Sequence, residues 1–173
     1  MRIARSRKVF AFAAVASCLA GGGSFAQDVE TLERQLEKAR EAAPMALKHF
    51  MAVAKPAKYF GDFEQRERAT YSRGEKLHFY MEPKNLSVTR NANGVYEPAL
   101  EVDLEVKPER GQPARQPKFL SLKIPSRSPI QDIYLNMTVS LGEAPAGKYS
   151  LKFTVRDLNS KKTATAEQEV TLR

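Results

Sequence analysis

Histidines and methionines are the residues of this sequence with the most distinctive chemistry for binding a metal. His49 and Met51 lie close together, and His78 and Met81 form a second close pair further along the chain. Thioether and imidazole groups are ligands that monovalent copper accepts. The sequence therefore permits a copper site formed by His49, Met51, His78 and Met81, with Met45 as a further thioether. The opposing interpretation is that Met51 and Met81 fill a hydrophobic core, since both stand among apolar residues, while His78 points outward.

Three carboxylates, Glu101, Asp103 and Glu105, form a second candidate. A row of this kind could bind a hard cation or act as acid and base. The same row is also predicted for the wet face of any half-buried strand, because polar and apolar residues alternate there. The sequence contains no nucleophile elbow, H-E-x-x-H pair, Walker loop or cysteine nucleophile. We therefore expect a protein that is not an enzyme.

The first residues have the order of a secretory signal peptide. A basic start is followed by the apolar run 9–20 and by a small-residue site that ends at Ala26. The apolar run is shorter than the roughly 20 residues of a membrane-spanning helix. Cleavage after Ala26 would make 1–26 the signal and Gln27 the first mature residue, in a periplasmic or secreted protein. The alternative is a lipoprotein signal, in which Cys18 is acylated and anchors the protein to a membrane.

Loss of this segment changes the expected charge and stability of the chain. The formal net charge falls from +8 to +4, because the signal contains four basic residues and no acid. This value does not favour a nucleic-acid partner, which would need a clustered basic face. The only cysteine is also lost. A hydrophobic core must then stabilise the domain without disulfides.

Sequence periodicity divides the mature chain into a helix and a β-rich domain. Residues 27–44 contain good helix formers with apolar residues at helical spacing, and a proline ends the segment. This predicted helix is either a stalk or lid that packs loosely on the domain, or the partner of another helix in a coiled coil. Residues 45–173 alternate apolar and polar side chains between turn-forming residues, which predicts an antiparallel β-sandwich of about seven strands. Segment 46–60 fits a helix or an edge strand, and we favour the strand. The predicted strands are 99–107, 133–141 and 149–157, with weaker candidates at 76–81, 119–124 and 162–172.

The segment "LGEAPAGKYSLKFTVRD", residues 141–157, resembles the turn and sixth strand of immunoglobulin-like and fibronectin type III sandwiches. The resemblance implies an immunoglobulin-like fold in which Tyr149 is a tyrosine corner, its ring in the core and its hydroxyl bonded to nearby backbone. The chain lacks the cysteine pair and the tryptophan of true immunoglobulin domains. A second segment, 59–83, is similar to uncharacterised secreted bacterial proteins, and this likeness implies no activity.

These observations predict a secreted, non-catalytic binding or scaffold module of the bacterial cell envelope. Its partner would be an envelope protein or polymer, with no nucleic acid and with membrane attachment only through an acylated Cys18. The alternative is a periplasmic copper-handling protein. We expect recognition at the loops 110–118 and 125–131 and at exposed aromatic residues, namely Tyr80, Tyr96 and Tyr134.

Overall fold

The computed structural model describes residues 24–88 and 90–173, with only the backbone described at 24–27. Contacts divide the described chain into two units, with the boundary between Leu36 and Glu37. Most of the predicted signal peptide, including Cys18 and the apolar run, lies outside the described residues. No helix within those residues is long and apolar enough to cross a membrane.

The helix α1 spans Ser24–Ala42, so it begins three residues before the predicted helical segment 27–44. It ends just before Pro44 because a proline disfavours the helical conformation of its predecessor and cannot donate a backbone hydrogen bond. Within the first unit its apolar stripe is largely exposed, as Val29, Leu32 and Leu36 show.

Within the described residues, eight strands follow the helix and form two sheets. The three-stranded sheet has the order β1-β3-β6, and the five-stranded sheet has the order β2-β8-β7-β4-β5. All pairs are antiparallel except β2 with β8, which is parallel. The protein is therefore mainly β with an N-terminal helix. The strands are β1 (Ala46–Val53), β2 (Thr70–Tyr71), β3 (Lys76–Lys84), β4 (Ala99–Pro108), β5 (Ala114–Lys123), β6 (Leu135–Ser140), β7 (Gly147–Asp157) and β8 (Thr163–Leu172).

Alternating side chains from both sheets meet in one hydrophobic core. Phe153 of β7, which is fully buried, lies near its centre. Its ring centroid is 5.3 Å from Phe79 of β3, 5.7 Å from Phe50 of β1 and 6.3 Å from Phe119 of β5. Burial of such a side chain contributes about 1.5–3 kcal/mol. Contacts among these rings therefore hold the two sheets face to face.

Strand β5 differs from its prediction. We expected a loop over 110–118, but the strand begins at Ala114 and contains Pro117. Strand β5 lies at the edge of its sheet, where a proline removes no hydrogen bond to a neighbouring strand. The pairing register with β4 shifts at this point, and Lys118 has a φ of 53°, as in a β-bulge. The connection between β4 and β5 is consequently only residues 109–113.

Candidate functional site

A groove of about 980 Å³ lies at one end of the β domain, and we call it the end groove. It lies between the β4–β5 turn, residues 109–113, and the β6–β7 turn, residues 141–146. The neighbouring ends of β4, β5, β6 and β7 complete its walls. Its lining residues are Leu104, Val106, Pro108, Glu109, Arg110, Gln112, Ala114, Arg115, Gln116, Ser140, Leu141, Ala144, Pro145, Ala146, Gly147, Lys148 and Tyr149.

Hydrogen bonds fix the β6–β7 turn as a rigid wall of the end groove. The Ala144 amide donates to the Leu141 carbonyl over 3.0 Å. The Tyr149 hydroxyl donates to the Pro145 carbonyl over 2.7 Å, four residues upstream. The Tyr149 ring itself is buried. Tyr149 thus ties the β6–β7 turn to the core through its buried ring and its bond to Pro145.

A further backbone hydrogen bond joins the β4–β5 turn to the start of β7. The Glu109 amide donates to the Lys148 carbonyl over 2.9 Å. Residues nearly 40 positions apart in the chain are therefore held together at the rim of the end groove. The end groove is formed before any ligand arrives, which lowers the entropic cost of binding.

The end groove combines an apolar floor with a basic rim. Leu104 is buried at its base, and the proline and alanine side chains of the β6–β7 turn add apolar wall. Arg115 pairs with Glu105 over 2.7 Å. Within the part of the chain that the structure describes, Arg110 and Lys148 form no ion pair. The rim thus presents two uncompensated cations beside one acid, Glu109.

The four predicted copper ligands do not converge. Met81 is fully buried in the core between the sheets. Met51 lies on the opposite face of the three-stranded sheet, packed against Tyr80. The ring of His49 lies 5.8 Å from that of Phe63.

The remaining candidate ligand, His78, is engaged elsewhere. Its Nδ1 lies 2.9 Å from the Thr138 hydroxyl. Burial lowers the pKa of His78, with a smaller contribution from Lys76. Among residues 24–88 and 90–173, no cluster of three or more histidine, cysteine or acidic side chains is placed to hold a metal ion.

The carboxylate row lies on the outer face of the five-stranded sheet, and each member has a basic partner. Both oxygens of Asp103 accept hydrogen bonds from the Arg156 guanidinium, one of them over 2.8 Å, and the Lys118 amide donates to it over 2.8 Å. These bonds, that of Arg156 foremost, lower the pKa of Asp103 to about 2. Glu101 lies 3.3 Å from the Lys118 ammonium. The row therefore joins β4 to its neighbouring strands, and its charges are already balanced.

We expected Tyr80 to be exposed, and this was wrong. Its side chain is fully buried beneath the connection between β1 and β2. Its hydroxyl accepts the Gly61 amide over 2.9 Å and donates to Glu82 over 2.9 Å, and burial raises its pKa to about 12. Asn136 holds the same connection through two hydrogen bonds to Ala57. This outer face of the three-stranded sheet is thus covered by the chain itself.

The other two aromatic candidates are half-buried. The Tyr134 hydroxyl donates to the Lys58 carbonyl over 3.0 Å. Tyr96 exchanges two backbone hydrogen bonds with Ser126 and lies under Arg90, whose guanidinium is 4.7 Å from the ring. Segment 125–131 is therefore anchored at its start to Tyr96.

We did not predict the end groove from the sequence. Its walls come from residues 104–116 and 140–149, and no local sequence pattern indicates that these two segments lie together. The available signal was the proline- and glycine-rich composition of the two turns, Pro108–Gly111 and Pro145–Gly147.

Comparisons with known proteins add little. No protein-family model matches the sequence, and no curated protein matches it. A solved structure, the Pseudomonas fluorescens alkylpurine DNA glycosylase AlkC bound to DNA containing an abasic site analog, shows 12% sequence identity and a TM-score of 0.41. The match covers 81% of this chain and 34% of that chain, so this chain spans about a third of its length. A likeness at this level supports no conclusion about family or activity.

Proposed function

We propose that this chain is a secreted, non-catalytic binding module of the bacterial cell envelope, built on an immunoglobulin-like sandwich, and that the end groove is its binding site. The observation that carries the proposal is the end groove itself. Its volume of about 980 Å³ falls within the range of roughly 300–1,000 Å³ found for ligand sites. An apolar floor with a few fixed polar groups is the usual composition of such a site.

Strand order supports the immunoglobulin-like part of the proposal. The sheet β1-β3-β6 corresponds to strands A, B and E of that fold, and β5-β4-β7-β8 corresponds to C′, C, F and G. Tyr149 then stands near the start of strand F, where a tyrosine corner is found. Its hydroxyl bond to Pro145 fits that assignment.

The lining of the end groove favours binding over catalysis. It contains no histidine or cysteine, and within the described residues its acid, Glu109, makes no side-chain hydrogen bond to the Ser140 hydroxyl and no ion pair with Lys148. The Tyr149 hydroxyl is already engaged with Pro145. These groups are suited to recognise a shape and a charge.

Two experiments test the proposal. The first is cell fractionation with mass spectrometry of the mature N-terminus. A soluble envelope protein that begins at Gln27 is expected. Recovery of the uncleaved chain from the cytoplasm would refute secretion, and an acylated Cys18 would replace the soluble form with a membrane-anchored one.

The second experiment places a photo-crosslinking amino acid in the end groove. Gln112 and Ala146 are exposed on opposite walls, so either can be replaced without disturbing the core. Glu167, exposed on the outer face of β8, is the matched control. The same discrete product is expected from both groove positions and not from Glu167. No product, or equal products at all three positions, would overturn the assignment of the end groove as the site.

A further inference from the structure

We propose that the end groove and the free edge of β6 together bind an extended, acidic segment of a partner polypeptide, which adds to the three-stranded sheet as a fourth strand. The inference rests on the proposed function and specifies the partner. Its two supports are the unprotected edge of β6 and the charge of the groove rim.

Strand β6 ends the three-stranded sheet with an unused hydrogen-bonding edge. Among the strands that the structure describes, it pairs with β3 alone. Within the described residues, no further backbone hydrogen bond involves 135–140. The sequence of β6, "LNMTVS", contains no charge, proline or glycine. Such an edge is a template for pairing with another extended chain.

The other three sheet edges carry features that oppose pairing. Strand β5 contains Pro117 and a bulge at Lys118. Strand β1 has a register shift around His49, whose φ is 49°. Strand β2 has only two residues. Proteins commonly protect their edges by such means, and β6 is the exception among the described strands.

The edge of β6 leads directly into the end groove. Ser140, the last residue of β6, and Leu141 both line it. A segment paired with β6 would therefore continue into the groove at this end of the strand. Its backbone would bond to the edge, and a side chain beyond the edge would rest on Leu104 and the β6–β7 turn. Strand addition obtains affinity from main-chain bonds and specificity from adjacent pockets.

Charge at the rim determines the kind of segment. Arg110 and Lys148 have no ionic partner within the described residues, and Glu109 opposes them only in part. Carboxylates flanking the apolar side chain would complement this rim. A fatty acid shares the anionic and apolar character but offers no peptide groups to the edge of β6. The free edge therefore favours a polypeptide.

The test uses the exported protein labelled with ¹⁵N and three probes. The probes are an acetylated octapeptide of alternating valine and glutamate, the same peptide with lysine in place of glutamate, and sodium decanoate. We expect the acidic octapeptide to slow amide exchange within 135–140 and to shift the amide signals of Ala144 and Lys148. The lysine octapeptide and decanoate should do neither.

A charge-reversed variant makes the test specific. Replacing Arg110→Glu and Lys148→Glu should weaken binding of the acidic octapeptide by about tenfold and strengthen binding of the lysine octapeptide. The matched control is Lys107→Glu, an exposed charge on β4 that does not line the end groove, and it should leave both affinities unchanged.

Equal binding of both peptides, decanoate binding alone, or binding without protection of 135–140 would overturn the inference. Failure of the inference differs from failure of the proposed function in the crosslinking result. Crosslinks in the groove without octapeptide binding would refute only the proposal that an acidic strand binds there. Absence of crosslinks in the groove would refute the assignment of the end groove as the binding site.

Discussion

Replacement of Tyr149 by phenylalanine isolates a single hydrogen bond at the wall of the end groove. The substitution removes the hydroxyl that donates to the Pro145 carbonyl over 2.7 Å and leaves the buried ring in the core. A neutral hydrogen bond of this kind contributes about 0.5–1.5 kcal/mol. Pro145 is exposed, so water can reach the carbonyl that loses its partner. We therefore expect a loss of about 1 kcal/mol in the free energy of unfolding, and not the larger cost of an unsatisfied buried group.

Urea unfolding followed by circular dichroism measures this loss. A destabilisation of this size corresponds to a decrease of about 2–4 °C in Tm for a domain near 150 residues. Amide exchange at Ala144 should also become faster, because the β6–β7 turn is released from Tyr149. Strands distant from the turn should keep their protection.

Tyr59→Phe is the matched control. Its side chain is 65% exposed, and its hydroxyl has no hydrogen-bond partner among the described residues. It should change the free energy of unfolding by less than about 0.5 kcal/mol. Equal stability of Tyr149→Phe and the natural protein would refute the role assigned to the hydroxyl. So would an equal loss in both variants.

Further predictions concern the outer strands, the covering connection and the core. Asp103, with a pKa of about 2 in the folded protein and 3.8 as its ordinary value, stabilises the fold above pH 4 and loses this effect as the pH falls towards 2. After allowance for solvent screening, urea unfolding of Asp103→Asn should show a loss of about 1 kcal/mol at pH 7 and almost none near pH 2, and a loss independent of pH would contradict the assignment. Asn136→Ala removes both hydrogen bonds to Ala57 and should cost about 2 kcal/mol, with faster amide exchange at Ala57 as the local sign. Phe153→Ala should cost about 3–5 kcal/mol in urea unfolding, and a loss below about 1 kcal/mol would show that the ring contacts do not hold the sheets together.

Strands whose two faces meet different surroundings could be predicted from the sequence. The segment predicted at 149–157 became β7, Gly147–Asp157, with Tyr149, Leu151, Phe153 and Val155 buried. One face of this strand meets the core and the other meets water, so polarity alternates along it. The same reasoning predicted β4.

Prediction failed where the chain covers its own surface or where distant turns meet. Tyr80 alternates with core residues and should therefore face water, yet the connection between β1 and β2 lies over it. That cover depends on Asn136, 79 positions from its partner Ala57, and no local pattern indicates it. The end groove was not predicted for the same reason, since the bond between Glu109 and Lys148 at its rim joins residues that lie far apart in the chain.

The parallel pairing of β2 with β8 determines when the five-stranded sheet can be completed during folding. Thr70 pairs with Thr171, and Tyr71 pairs with Leu172. Closure of so long a loop contributes a slow, late step to folding. The five-stranded sheet therefore cannot be finished until Leu172 is in place beside Tyr71. Until then, the outer edge of β8 stays free to pair with another extended chain.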